Sequence, residues 1–336
     1  MIEPLLKVRD LCVDFGSNAA VRGVDFDLAA GEIVGLVGES GSGKSTLARA
    51  ILRLLQPVRG SVQFLGQDLL QCSSAALRAR RRELQIVFQD PLASLNPRMT
   101  VGEAIGEPLQ IFELEQTARA RQLQVDAMLE RVGLASGMAA RYPHEFSGGQ
   151  CQRVGIARAM ILRPKLLICD EVVSSLDMSI QGQIVNLLID LQREAGMAVL
   201  FISHNLAVVR HLSQRVMVIY SGKLVEIAFC DALFAAPKHP YTRALLAAVP
   251  RLPSVIPTPA APTVPASPVL SASPVLSAEP VQQARLMASG CAYRDRCPYV
   301  LPLCETTEPP LIEIGTGHWA ACHRSHETLI PLSSVS

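Results

Sequence analysis

Three groups of residues have the types and spacings that do chemistry. Gly38-Glu39-Ser40-Gly41-Ser42-Gly43-Lys44-Ser45, followed by Thr46, matches G-x-x-x-x-G-K-[ST]. Such glycines let backbone N–H groups close around phosphate oxygens, and a helix that starts there adds its partial positive charge. Lys44 is long enough to reach a β- or γ-phosphate, and the Ser45 hydroxyl suits Mg2+. The second group is Asp170-Glu171, at the end of the apolar run Leu166-Leu167-Ile168-Cys169. An α/β sheet presents ligands at such strand ends, where Asp170 suits Mg2+ and Glu171 suits polarising an attacking water. Many buried strands end in acids, so this pair draws its meaning from the glycine-rich loop. The third group is Cys291, Cys297, Cys304 and Cys322, spaced C-x5-C-x6-C-x17-C, with His318 and His323 nearby. Four thiolates suit a tetrahedral Zn2+ or a cubane iron–sulfur cluster. Reduced thiols in a small core, or disulfides, are the plainer alternatives. A module of about fifty residues has little core, and a metal would staple it.

These groups need particular elements to hold them. Residues 32–37 form a short apolar run ending at glycine, which reads as a buried strand, and residues 44–55 read as a helix stopped by Pro57 and Gly60. Strand, loop and helix therefore follow in the order the phosphate motif requires. Residues 5–26 alternate around a turn at Gly16-Ser17-Asn18 and predict an antiparallel hairpin. Between residues 90 and 158 the pattern is largely helical, with 116–132 rich in Ala, Leu, Arg and Gln. Strands at 165–170 and 198–203, separated by a helix at 180–194, predict a parallel βαβ unit, and strands at 216–220 and 223–227 complete the core. The run Arg78-Ala79-Arg80-Arg81-Arg82 reads as a solvated helix face.

Length and composition bound the rest. A chain of 336 residues accommodates one large domain, placed at 1–250, and a smaller appendage. Residues 251–281 are dominated by Pro, Ala, Ser and Val and repeat Ala-Ser-Pro-Val-Leu-Ser, a composition suited to a semi-extended linker. Residues 282–336 then form the cysteine-containing module. With 31 basic and 30 acidic residues there is no long-range field favouring nucleic acid, and no nucleic-acid partner is expected. Hydrophobic residues reach 49%, but no run of 18 apolar residues is present to span a bilayer. The N-terminal residues lack the regions of a signal peptide, so a cytoplasmic protein is expected. Cys12, Cys72, Cys151, Cys169 and Cys230 show no pairing rhythm, as for reduced thiols in a cytosolic domain.

Phe146-Ser147-Gly148-Gly149-Gln150, upstream of the acidic strand, completes a set that resembles the ATP-binding-cassette (ABC) ATPases. All the motifs stand in the family's order: the glycine-rich loop, Gln89, the Ser147-Gly148-Gly149-Gln150 signature, Asp170-Glu171, Asp177 and His204. The resemblance implies an α/β P-loop fold with an antiparallel β subdomain, a helical signature subdomain near 90–160, and the small cysteine module. It implies that Lys44, Ser45, Gln89, Asp170, Glu171 and His204 serve one ATP with its Mg2+, Gln89 linking the metal to membrane subunits and His204 approaching the γ-phosphate. Ser147 to Gln150 would reach the ATP of a second cassette, and Asp177 would lie at the dimer seam. Phe15 lies roughly where the family stacks an aromatic residue on adenine; a core or edge-strand aromatic is an equal reading. Val172, Asn205 and Cys151 depart from the usual pattern without removing any assigned group, which predicts an active ATPase with altered loop stiffness or rate.

Ile86-Val87-Phe88-Gln89-Asp90-Pro91, Ser94-Leu95-Asn96-Pro97-Arg98 and His239-Pro240-Tyr241-Thr242-Arg243-Ala244-Leu245-Leu246 resemble the peptide and nickel importer ATPases. That likeness implies a peripheral subunit on the cytoplasmic face of the inner membrane. Its partners would be two membrane permease subunits, a second and non-identical ATPase subunit, and an external peptide-binding protein. The likeness favours a [4Fe-4S] cluster at the four late cysteines, with Zn2+ the alternative. Dipeptides and oligopeptides head the cargo classes, followed by haem, nickel chelates and glutathione-like peptides. Two rivals stand beside this reading: a soluble cassette ATPase of DNA repair or translation, and a regulatory subunit that binds ATP without hydrolysis.

Overall fold

The computed structural model describes residues 3–114, 117–248 and 290–327. The Pro-rich segment placed at 251–281, and the first residues of the module placed at 282–336, lie outside the described residues.

The expected hairpin is β1 (Leu6–Phe15) and β2 (Asn18–Leu28), followed by β3 (Ile33–Val37) and α1 (Lys44–Ile51). The helix ends before residue 55 because Arg53 takes a left-handed φ of 51°, which no further helical turn accommodates. Next come β4 (Arg59–Phe64), β5 (Gln67–Asp68), α2 (Ser74–Arg80) and β6 (Leu84–Val87). The helical region expected from residue 90 begins instead with turns, then runs as α3 (Val101–Ile111), α4 (Ala118–Arg131) and α5 (Gly148–Met160). Thr100 starts α3 with a reciprocal capping box to Glu103, a strong local reason for the helix to begin there. The remaining core is β7 (Leu166–Asp170), α6 (Met178–Ala195), β8 (Ala198–Ile202), α7 (Leu206–Leu212), β9 (Arg215–Tyr220), β10 (Lys223–Phe229), α8 (Cys230–Ala235) and α9 (Pro240–Ala247). The C-terminal part adds α10 (Leu303–Thr306), β11 (Ile312–Gly315) and β12 (His318–Ala320).

Two sheets result, a four-stranded antiparallel sheet in the order β2-β1-β4-β5 and an eight-stranded sheet in the order β11-β12-β10-β9-β3-β8-β7-β6. Strands β9, β3, β8, β7 and β6 are mutually parallel, so the C-terminal ends of β3 and β7 emerge on one edge. Both faces are covered. Ile33, Leu167, Phe201 and Val216 join the core beneath the helices, whereas Val34, Ile168, Leu200 and Met217 join the one shared with the antiparallel sheet. Burial on both faces explains why these strands read as unbroken apolar runs rather than as alternating ones.

The cysteine-containing part is joined to the main sheet. Strand β12 pairs with β10, with Glu226 opposite Ala320 and Ile227 opposite Trp319. The Glu226 side chain is fully buried and accepts the backbone N–H groups of Lys238 (2.7 Å) and His239 (2.9 Å) and the Nε2–H of His318 (2.7 Å). One carboxylate thus fastens β10, the entry to α9, and β12. Glu226→Ala is expected to remove about 3 kcal/mol or more, because it leaves buried donors without an acceptor. Chemical denaturation measures the loss, and limited proteolysis should show early cleavage near residues 312–320.

Candidate functional site

The loop between β3 and α1 is drawn tight against its neighbours. Gly43, the residue before the helix, has φ 102°, and a Cβ there would stand 2.4 Å from the Ala20 carbonyl oxygen. Glycine is the residue that satisfies both demands. The loop leads into the N-terminus of α1, where free N–H groups favour an anion. Ser40 and Gly41 are exposed, Thr46 is half-buried in the first turn, and the buried Ser42 hydroxyl has no partner among the described residues. Loop, helix terminus and hydroxyl form a cradle fitted to phosphate oxygens.

Lys44 is buried beneath this loop. Its Nζ donates to the carbonyl oxygens of Gly38 (2.9 Å) and Glu39 (2.8 Å) and stands 3.7 Å from Glu171 Oε1. Burial pushes its pKa down, while the charges of Glu171 and Asp170 act in the opposite direction. Asp170, at the end of β7, accepts a 2.8 Å hydrogen bond from the Ser45 hydroxyl, and burial raises its pKa. Ser45 and Asp170 therefore present two hard oxygen donors side by side, the donor set Mg2+ prefers.

Glu171 connects the remaining members. Its carboxylate accepts from Gln89 Nε2 at 3.2 Å and lies 3.4 Å from His204 Nδ1, in addition to Lys44. Its φ of 50° is unusual for a side-chain-bearing residue and turns the chain sharply out of β7. The turn is held by the Glu171 N–H donating to the Ile202 carbonyl at 3.0 Å and by the Ser174 hydroxyl donating to the Glu171 carbonyl at 2.9 Å. Immediately afterwards Val172 and Val173 are buried in the core. The valine at 172 is thus a core residue, and it leaves the glutamate turn intact.

The signature and the 177 position lie in local structures of their own. Ser147 caps α5: its Oγ accepts the Gln150 N–H and its own N–H donates to Gln150 Oε1 at 2.9 Å. Gly149 packs so closely on α6 that a Cβ would meet Ile180 Cγ2 at 2.7 Å. The S-x-x-Q spacing is itself a capping-box pattern, a physical role for these residues that the sequence carried in plain view. Asp177 caps α6, accepting the Ser179 hydroxyl and the N–H groups of Ile180 and Ser179, and these bonds, the hydroxyl first, hold its carboxyl below the usual range. No described hydrogen bond joins Ser147, Gln150 or Asp177 to the Lys44 group. Phe15 is about half exposed at the tip of the β1–β2 hairpin, outside the core.

The other two departures also have physical accounts. Asn205 caps α7 by accepting from Ala207 N (3.1 Å) and Val208 N (3.3 Å), a task aspartate and asparagine perform about equally. Cys151 is wholly buried beneath the signature, donates to the Pro143 carbonyl and has its thiol pKa raised by burial.

Cys291, Cys297, Cys304 and Cys322 line one small pocket with His239, Tyr293 and Arg294. All four are free thiols. Burial, opposed by the Arg324 N–H and aided by the other three cysteines, pushes Cys322 up to about 11. The Arg324 N–H points at Cys322 Sγ, 3.4 Å away. Among the described residues, no group of three or more His, Cys, Asp or Glu side chains is arranged to hold a metal ion.

Sequence reasoning missed the support behind the phosphate loop. Tyr241 is buried, and its hydroxyl accepts the Glu39 N–H at 2.8 Å. Arg296, between two of the cysteines, grips the Glu39 carboxylate with both terminal nitrogens, at 2.8 and 2.9 Å. His239, its pKa lowered to about 4 by burial, starts α9 by accepting the Tyr241 N–H on Nδ1. The motif containing His239 and Tyr241 stood out in the sequence, but nothing in it pointed across the chain to residue 39.

Comparison with known proteins places the chain among its relatives. The family described as "ABC transporter" matches residues 21–174, and "Oligopeptide/dipeptide transporter, C-terminal region" matches residues 225–304. The chain is 49% identical over 303 residues to the oligopeptide transport ATP-binding protein OppF of Escherichia coli, covering 90% of this chain and 87% of that one. It is 46% identical over 332 residues to a putative oligopeptide transport ATP-binding protein of Bacillus subtilis, covering 97% of each. Among solved structures it is similar to CbiO1 of Clostridium perfringens, part of an ABC transporter complex, with TM-score 0.63 and 27% identity over 70% of this chain and 92% of that one. It is also similar to an ATP-binding cassette solved as a dimer with ADP and Pi, with TM-score 0.61 and 28% identity over 67% of this chain and 98% of that one. With such identity across nearly its whole length, and with the loop, acidic pair and capped signature in place, the chain belongs to the ABC transporter family, as an ATPase carrying the oligopeptide/dipeptide transporter C-terminal region.

Proposed function

We propose that this chain is the ATP-hydrolysing subunit of an importer of dipeptides or oligopeptides. The observation that carries the proposal is the meeting of Lys44, Gln89 and His204 on one carboxylate, Glu171, beside the Ser45–Asp170 pair. In this reading Lys44 exchanges the carbonyls of Gly38 and Glu39 for phosphate oxygens. Glu171 orients and polarises the attacking water, and His204 faces the γ-phosphate. Mg2+, when bound by Ser45, Asp170 and Gln89, neutralises phosphate charge. Phe15, exposed at its hairpin tip, takes the adenine. Ser147, Gln150 and Asp177, whose described side-chain hydrogen bonds lie within their own helix caps, are left with Gly148 and Gly149 to serve the ATP of a second cassette.

Hydrolysis then enters transport as a change in the interface between two cassettes. Peptide import is supported by the names of the relatives and by the C-terminal region matched at 225–304. The partners proposed are two membrane permease subunits, a second and non-identical ATPase subunit, and an external peptide-binding protein. No helix among the described residues is long and apolar enough to cross a membrane. The likeness to peptide-importer ATPases supports a peripheral position at the cytoplasmic face. We assign residues 1–250 to the nucleotide-binding domain and 282–336 to the cysteine module, with 251–281 as linker.

Cys291, Cys297, Cys304 and Cys322 are proposed to hold a [4Fe-4S] cluster. Four soft donors facing one pocket, with an N–H directed at one sulfur, are the kind of donor set such a cluster takes. Burial, with repulsion from neighbouring thiolates, opposes unaccompanied thiolates at Cys291, Cys297 and Cys322, and a cationic cluster core would reverse that balance.

Glu171→Gln is expected to keep ATP binding and lower steady-state hydrolysis by about a hundredfold or more. Light scattering should then find an ATP-bound dimer, whereas unchanged hydrolysis would refute the assigned role. Anaerobically purified protein should be brown, absorb near about 400 nm and contain iron and sulfide. A colourless preparation with stoichiometric zinc would replace the cluster with Zn2+.

A further inference from the structure

Glu39, in the phosphate loop, is held from both its backbone and its side chain. Its carbonyl accepts Lys44 Nζ at 2.8 Å, its N–H donates to the Tyr241 hydroxyl at 2.8 Å, and its carboxylate takes both terminal nitrogens of Arg296. Arg296 belongs to the short turn between Cys291 and Cys297. Its guanidinium lies over the Tyr293 ring at 5.8 Å, and Tyr293 packs edge-on against Tyr220 at 5.2 Å and tilted against Tyr241 at 5.4 Å. The same turn that places two of the cysteines thus places the fork that grips the loop.

We propose that Arg296 is a positioning residue for the phosphate loop, through which the order of the cysteine module sets nucleotide affinity. The proposal rests on the reading of residues 38–45 as the ATP-phosphate site. When Lys44 turns toward phosphate, the Glu39 carbonyl loses its ammonium partner. Tyr241 and Arg296 then hold Glu39 from outside the loop, beside the Ser42 N–H that still donates to its carbonyl at 3.2 Å. A fork binding both carboxylate oxygens fixes orientation as well as distance, which a single lysine charge does not. The pair is partly open to solvent, so its effect is a modest adjustment of affinity, while Lys44 and Glu171 remain indispensable.

The test measures equilibrium binding of a fluorescent, non-hydrolysable ATP analogue to the full chain, together with kcat at saturating ATP in the assembled transporter. Arg296→Ala and Glu39→Gln should each raise Kd about threefold to tenfold. The double variant should bind no more weakly than either single one, because both changes remove the same contact. Arg296→Lys should recover only part of the affinity, and kcat of the two Arg296 variants should stay within about twofold of the parent. Unchanged Kd in both single variants, or losses that add in the double variant, would overturn the proposal. Lys44→Ala separates the two readings. If it abolishes binding while Arg296→Ala has no effect, the coupling is wrong and the site stands. If Lys44→Ala binds as the parent does, the assignment of the site itself fails.

Discussion

The buried ammonium group of Lys44 is the constraint around which the site is organised. Removing a charged amine from water is costly unless partners replace the lost hydration. Here two carbonyls of the loop and the nearby carboxylates of Glu171 and Asp170 do so. Each partner sets a requirement on the fold. The carbonyls require a loop tight enough to double back over the lysine, hence Gly43 against the Ala20 carbonyl. The carboxylates require that β7 end on the same edge as β3, which parallel pairing through β8 ensures. Phosphate oxygens can then take over from the neutral carbonyls, and they bring negative charge to the ammonium where the carbonyls brought none.

Strain at Glu171 follows from the same arrangement. A left-handed backbone on a glutamate persists only where its surroundings leave no relaxed alternative. Val172 and Val173 draw the chain back into the core at once, and Ile202 and Ser174 fasten both backbone polar groups of residue 171. The carboxylate is therefore fixed from behind, and the Gln89 and His204 side chains approach it from exposed positions. A rigid acid with two movable neighbours suits a site that must complete itself when nucleotide and a second subunit arrive.

Much of this was legible because it is local in sequence. The strand-loop-helix order around residues 38–45 and the apolar run ending in two acids need only the spacing of nearby residues, and both stand where the pattern places them. Helix ends were less legible: α1 stops at Ile51 because of backbone geometry at Arg53, which residue type does not announce. Long-range pairing was not legible at all. Nothing at Glu226 announces His318, and nothing at Glu39 announces Arg296, because an acid among other residues has many bases to choose from. The motif at 239–243 stood out only through likeness to relatives. Its physical tasks, a histidine cap and a tyrosine hydroxyl behind the phosphate loop, depend on chain folding back from the far side of the sheet.

The C-terminal part is attached to the ATPase core in two physically different ways, and the difference bears on how it could influence turnover. At β10 the attachment is a buried carboxylate with three hydrogen-bond donors, a contact that is either made in full or lost at great cost. At the phosphate loop it is a forked ion pair with both members partly in water, which can loosen and re-form within ordinary thermal energy. The first contact fastens β12 to β10 and to the start of α9 without using any of the four cysteines. The second can respond to small shifts of the cysteine turn that carries Arg296. A firm anchor beside a soft contact is the arrangement through which, under the proposed coupling, a shift of the turn between Cys291 and Cys297 would reach Glu39 by way of Arg296.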